Sequence, residues 1–171
     1  MRLSVIGCGY LGAVHAAAMA SIGHDVVGID VDERKIASLS EGRAPFFEPG
    51  LQDILTAGLA SGRLRFTTDI GAAAGSSVHF IGVGTPQQQG AYAADLGFVN
   101  AAIEALVPHL RPGDIVAGKS TVPVGTAESL APQVASSGAT LVWNPEFLRE
   151  GWAVQDTIEK ARRNLGVTYC T

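Results

Sequence analysis

A short apolar run, Leu3 to Ile6, leads directly into Gly7-Cys8-Gly9-Tyr10-Leu11-Gly12, three glycines at the spacing G-x-G-x-x-G. Each glycine has its own mechanical task. The first permits a tight turn out of a strand, the second lets backbone approach a pyrophosphate, and the third lets the next helix pack close to the strand. The start of that helix offers unpaired N–H groups and a partial positive charge, which suit phosphate. A helical pattern follows, with Leu11, Val14, Ala18 and Ile22 on one face and Gly23 as its stop. A second apolar run, Val26 to Ile29, ends at Asp30, 23 residues after Gly7. An acid about 20 residues beyond the turn binds a ribose 2′-hydroxyl and repels a 2′-phosphate. The pattern therefore predicts NAD rather than NADP. By itself the glycine spacing is also that of an ordinary strand-to-helix turn; the strand before it and the acid after it carry the dinucleotide reading. Cys8 has no base near it in sequence and reads as a small packed residue, not a nucleophile.

Three more loops fall at predicted strand ends, where open α/β sheets bind ligands. Gly82-Val83-Gly84-Thr85-Pro86 follows Val78 to Ile81 and offers close backbone approach and the Thr85 hydroxyl; it also fits a plain Gly-Pro turn. Lys119-Ser120-Thr121-Val122-Pro123-Val124-Gly125-Thr126 follows Ile115 to Gly118. Its lysine and hydroxyls suit a nicotinamide or a positioned water, while Ser120, Thr121 or Thr126 equally suits a helix cap. Asn144-Pro145-Glu146-Phe147-Leu148-Arg149-Glu150-Gly151 follows Thr140 to Trp143. Glu146 and Glu150 suit proton transfer or sugar hydroxyls, and Arg149 suits a phosphate or one of those acids. A charged loop is also often simply solvated. Phe46-Phe47-Glu48-Pro49-Gly50-Leu51 reads as a turn into a helix whose aromatics pack.

These loops require a scaffold of alternating strands and helices. Strands are predicted near 2–6, 25–29, 64–66, 78–82, 114–118 and 139–143, and helices near 10–22, 32–41, 49–61, 95–108 and 125–136. Asp53, Glu104 and Glu128 point outward on these helices, and short helical turns fall near 69–74 and 152–157. The order implies a Rossmann-type, doubly wound α/β fold: a mostly parallel six-stranded sheet with helices on both faces. Gln87 to Ala94, with three glutamines and a glycine, reads as a mobile surface loop. At 171 residues, 47% hydrophobic and 16% charged, the chain suits one well-buried domain. A net charge of −4 without a basic cluster argues against nucleic acid and anionic membranes. No run is long enough to span a bilayer, and the start lacks a signal-peptide pattern. Two cysteines and four histidines lack metal-ligand or disulfide spacing. The expectation is a cytoplasmic protein without a metal.

Taken together and in this order, the motifs resemble the UDP-glucose 6-dehydrogenase family, within the NAD-dependent UDP-glucose and GDP-mannose dehydrogenases. The matching pieces are Gly7-Cys-Gly-Tyr-Leu-Gly12, Gly28-Ile-Asp30 with Lys35-Ile36, Glu48-Pro-Gly-Leu51, Val83-Gly-Thr-Pro86, Lys119-Ser-Thr-Val-Pro-Val-Gly-Thr126 and Asn144-Pro-Glu-Phe-Leu-Arg-Glu-Gly151. Lys-Ser-Thr-Val-Pro-Val-Gly and Leu-Arg-Glu-Gly are similar to the UDP-glucose branch. The resemblance implies oxidation of the C6 alcohol of UDP-glucose to a carboxylate by two NAD, through a cysteine thiohemiacetal and thioester. It implies that Gly7, Gly9, Tyr10, Leu11 and Gly12 hold the cofactor. Asp30 and Lys35 would bind its adenosine ribose, Thr85 and Thr121 line its site, and Glu150 reach its nicotinamide end. Glu146, Phe147, Leu148, Arg149 and Glu150 would touch the sugar nucleotide, and Thr121 and Glu146 would help hold the reacting water.

The resemblance covers residues 1 to about 158. The family's nucleophilic cysteine, its long central dimer-building helix and its UDP-binding domain are expected beyond position 171. Residues 159–171 depart from the family's Pro-Asp-Arg continuation and are expected to form an atypical tail, in which Cys170 is not the nucleophile. One expectation is therefore the cofactor domain of a UDP-glucose 6-dehydrogenase, inactive alone and needing the missing domain to hold UDP-glucose. The alternatives are a non-catalytic NAD-binding module that regulates or pairs with a homologue, and the same domain of a GDP-mannose dehydrogenase. Apolar surface left open by the missing helix favours self-association as a homo-oligomer or a tail that folds over it.

Overall fold

The computed structural model describes residues 1–90 and 92–164. Six strands form one sheet: β1 (Arg2–Ile6), β2 (Asp25–Ile29), β3 (Leu64–Thr67), β4 (Val78–Ile81), β5 (Ile115–Gly118) and β6 (Thr140–Trp143). Their spatial order is β3-β2-β1-β4-β5-β6, and every pairing is parallel. The chain winds outward from β1 to β3, returns beside β1, then winds outward the other way. This is the dinucleotide-fold order, with its reversal between β1 and β4.

The helices are α1 (Tyr10–Ser21), α2 (Glu33–Ser40), α3 (Leu51–Ala60), α4 (Gly97–Leu106), α5 (Thr126–Ala135) and α6 (Ala153–Asn164), with a 3₁₀ turn at Ile70–Ala73. Strand side chains alternate between two cores. Leu3, Val5, Val26, Leu64 and Phe66 pack beneath α1, α2, α3 and α6, whereas Ile6, Val27, Ile29, Ile81 and Val116 pack beneath α4 and α5. Burial on both faces is why the central strands read as continuous apolar runs. Asp53, Glu104 and Glu128 are exposed, as expected.

Two helices differ from expectation. α1 carries no single apolar face; every residue from Gly12 to Ala20 is buried, because α3 and α6 cover the sides the sheet leaves free. Ala13, Ala16, Ala17, Ala18 and Ala20 make that close packing possible. α6 runs well past the short turn expected near 152–157. Ile158 and Ala161 pack onto the core, and Gln155 donates to Glu159 one turn on. The end of the tail, Cys170 included, lies outside the described residues. Gln87 to Gly90, Tyr92 and Ala93 are exposed, and the segment is closed at its base, where the Gln88 backbone amide donates to the Ala93 carbonyl and the Asp95 amide to that of Pro86. No helix among the described residues is long and apolar enough to cross a membrane.

Candidate functional site

Parallel strands deliver all their following loops to one edge. The register makes this exact to the residue: Ile6 lies beside Ile29 and Ile81, Ile81 beside Gly118, and Gly118 beside Trp143. The residues after them, Gly7, Asp30, Gly82, Lys119 and Asn144, therefore open the same rim.

The three glycines of the first loop differ physically. Gly7 has φ +91°, and a β-carbon there would stand 2.7 Å from the Val83 nitrogen. A β-carbon on Gly12 would lie 1.8 Å from the Gly7 carbonyl oxygen. Around Gly9 nothing lies within 4 Å of that position. Gly7 and Gly12 thus serve the turn and the packing, and Gly9 leaves a bare approach. No side chain caps α1. The Ala13 amide donates to the Gly9 carbonyl at 2.9 Å, so the amides before it face the rim without helical acceptors. The turn fits a pyrophosphate.

Asp30 is buried at the end of β2. Its Oδ2 accepts from the Cys8 amide and from Lys35 Nζ, both at 2.7 Å, and Oδ1 from the Asp32 amide at 3.0 Å. Burial pushes this carboxyl up, but Lys35 and the two amides outweigh burial and hold it below the usual range. Oδ1 retains acceptor capacity toward a hydroxyl. Lys35 stands where it does because Asp32 caps α2, accepting from the Arg34 and Lys35 amides.

Thr85 Oγ1 donates to the Thr121 carbonyl at 2.8 Å, joining the loops after β4 and β5. Ser120 donates to the Val83 carbonyl at 2.7 Å, and Trp143 Nε1 to the Ser120 carbonyl at 3.0 Å. The Trp143 ring fills the space that a side chain at Gly118 would need. Thr121 itself is exposed at the rim.

Glu146 is held between two lysines, accepting from Lys119 at 3.1 Å and from Lys160 of α6 at 2.6 Å. Burial raises its carboxyl, but these ammoniums hold it below the ordinary glutamate value. Glu150 is exposed and close enough to Tyr10 for its charge to push the phenol up. Arg149 pairs with neither acid of its own loop. It grips Asp156 of α6 in a two-pronged contact of 2.7 and 2.9 Å, and its guanidinium lies 5.7 Å from the Trp152 ring centre. Phe147 is 75% exposed, whereas Leu148 packs against the core.

Glu48 has a role that no local pattern announces. Only 4% exposed, it accepts from Tyr10 Oη at 2.5 Å and from the amides of Gly151 and Ala153 at 2.8 Å each. Burial raises its carboxyl, but Tyr10 and the helix amides hold it below the usual range. Its partners lie 38, 103 and 105 residues away, so spacing could not reveal them. His15 of α1 was also silent in the sequence. It is 8% exposed, its edge meets Phe80, and Nε2 has no hydrogen-bond partner among the described residues. Burial, then the Lys119 charge, push it down to about 4.

Two other groups resemble catalytic machinery without access to the rim. Cys8 is fully buried, and burial with the Asp30 charge pushes its thiol up to about 12, which agrees with a packing role. Ser4, His79 and Asp114 form a Ser–His–acid line, 2.7 and then 3.5 Å. Ser4 and His79 are fully buried inside the sheet, so this serine meets no substrate.

The pattern of the UDP-glucose/GDP-mannose dehydrogenase family, NAD binding domain, matches residues 1–169. The chain belongs to this family. It is an NAD-binding domain of these dehydrogenases, and NAD is its cofactor. UDP-glucose 6-dehydrogenase of Rhizobium meliloti is 44% identical over 98% of the chain, which spans 39% of that relative. UDP-glucose 6-dehydrogenase TuaD of Bacillus subtilis is 43% identical over 98%, with 37% of it spanned. Among solved structures, a UDP-glucose dehydrogenase from Pyrobaculum islandicum superposes with a TM-score of 0.84 at 40% identity. That match covers 96% of this chain and 42% of the other. A GDP-mannose dehydrogenase from Pseudomonas aeruginosa gives 0.83 at 38%, covering 91% and 38%. The chain thus spans about two fifths of the dehydrogenases it matches.

Proposed function

We propose that this chain is the cofactor-binding part of a UDP-glucose 6-dehydrogenase. Within the rim, the glycine turn would take the pyrophosphate on the first amides of α1, with Gly9 giving the close approach. Asp30, steadied by Lys35, would accept from the adenosine ribose, and its negative charge would exclude a 2′-phosphate. Thr85 and Thr121 would line the groove, and Glu150 would stand at its nicotinamide end. Bound there, NAD supplies a hydride acceptor. Glu146 and its neighbours to Glu150 would face the sugar nucleotide, with Thr121 and Glu146 steadying a water. One observation carries the cofactor geometry: a bare Gly9, beside the sheet's reversal point, and an acid held ionised after the neighbouring β2 open the same rim. The similarity to UDP-glucose 6-dehydrogenases over 98% of the chain favours UDP-glucose over GDP-mannose.

Two features support a second reading, that of a non-catalytic NAD-binding partner. Glu146 is already occupied by Lys119 and Lys160, and the buried Cys8 offers no thiolate. Fluorescence titration with NADH and NADPH tests the shared part: saturable NADH binding with at least tenfold preference is expected, and equal or tighter NADPH binding overturns it. The mass of the protein from its native source separates the two readings. A product much longer than 171 residues supports the enzyme part, and one of that length supports the partner.

A further inference from the structure

We propose that Glu48 is a positioning residue that couples dinucleotide binding at the glycine turn to the ordering of the acid-bearing loop, residues 146–150. The inference rests on the reading that this turn holds a dinucleotide.

The geometry supplies a continuous line. Tyr10 is the first residue of α1, in the turn whose amides would meet the pyrophosphate. Its ring is held by Phe46, 4.9 Å away between centres, and its hydroxyl reaches Glu48 Oε2. The same oxygen accepts from the Gly151 amide, and Oε1 from that of Ala153. Gly151 directly follows the loop, and Ala153 opens α6. One buried carboxylate therefore ties the cofactor turn to the loop's C-terminal end.

A helix ordinarily finds its cap in the residue just before it. Trp152 occupies that place in α6 and brings no side-chain oxygen. The cap comes instead from residue 48, which is itself fastened to α1. Anything that fixes the first turn of α1 then fixes Tyr10, Glu48 and the start of α6 together. The loop's N-terminal end is fastened separately, by the Glu146 amide to the Lys119 carbonyl at 3.1 Å. Residues 147–150 bridge these two anchors, and their order depends on both.

Hydrogen exchange of the full 171-residue chain, with and without saturating NADH, tests the coupling. In the wild type NADH is expected to slow exchange at 9–13 and, at least fivefold, at 147–153. Tyr10→Phe keeps the ring against Phe46 and removes only the hydroxyl. It should still bind NADH, more weakly, with protection at 9–13 kept and that at 147–153 falling below twofold. Glu48→Gln should behave alike; if it does not fold, Tyr10→Phe decides alone. A merely structural role would speed exchange equally with and without NADH, and that result overturns the coupling. So does loop protection in Tyr10→Phe equal to the wild type, or a wild-type loop that NADH leaves unprotected. Wild-type protein with no saturable NADH binding overturns the dinucleotide reading and the coupling together.

Discussion

In the proposed reading, the side chain of Asp30 sets cofactor choice. Its charge is secured by Lys35 and two amides, so it remains an anion wherever a 2′-phosphate would arrive. Asp30→Ala should weaken NADH binding and narrow the NADH-over-NADPH preference about tenfold, roughly 1.4 kcal/mol, as measured by paired titrations. His15 gives a prediction of the opposite electrostatic kind. Its pKa falls from the ordinary 6.5 to about 4 on folding, so the unfolded chain binds the extra proton. Stability is then full above pH 6.5 and declines as pH falls toward 4, by about 2 kcal/mol at pH 5 from this residue. Buried His79 is also pushed down and adds to the same slope. Urea unfolding of His15→Leu at pH 7 and pH 5 should show a smaller difference than the wild type; an unchanged difference would refute the assignment. Asp30 was legible in the sequence because it ends the second apolar run, 23 residues after Gly7. His15 was not, because its environment is made by β4 and the loop after β5.

At the scale of elements, the strands were legible nearly to the residue. The central strands β1, β2 and β5 are apolar runs buried on two faces, whereas the edge strands β3 and β6 are partly exposed and were marked by their flanking turns. The helices over 10–22, 32–41, 49–61, 95–108 and 125–136 were legible from their stops and starts, with ends a residue or two shorter. α6 was legible only as a short turn near 152–157, because its N-terminus is capped by Glu48, more than a hundred residues earlier. The glycine turn predicts a clean contrast. Gly9 has φ −68° and open space, so Gly9→Ala should fold with a loss below about 1 kcal/mol. The added methyl would nevertheless stand where the pyrophosphate comes closest, and NADH affinity should fall at least tenfold. Gly12→Ala drives a methyl into the Gly7 carbonyl and should cost about 3 kcal/mol of stability. Thermal melts and NADH titrations on the two variants separate binding from folding. Equal melting temperatures would show that the close packing at Gly12 is not what that glycine is for.

Across the whole molecule, one edge of the sheet gathers both the candidate site and a set of uncovered apolar side chains. Val31, Phe47, Val124, Phe147 and Trp152 are all exposed and all in loops or turns, four of them in loops that follow β2, β5 and β6 at the rim. The dehydrogenases in the comparison are about two and a half times longer, consistent with further chain closing over such an edge in those proteins. Expressed alone, the 171 residues are expected to bind NADH without oxidising UDP-glucose. Thioester chemistry needs a thiolate within reach of the substrate. Cys8 is sealed beneath the glycine turn with its thiol pushed up to about 12, so its thiolate is scarce at neutral pH and out of reach. With no second wall over the rim, water would reach any sugar held beside Glu146 and Glu150, and attack geometry would be poorly fixed. The assay is absorbance at 340 nm with saturating UDP-glucose and NAD, in protein freed of any full-length enzyme. No turnover is expected. Turnover that persists after Cys8→Ala and Cys170→Ala would show that this domain oxidises the sugar without a thiol, and would move the reacting groups to Thr121, Glu146 and Glu150 themselves.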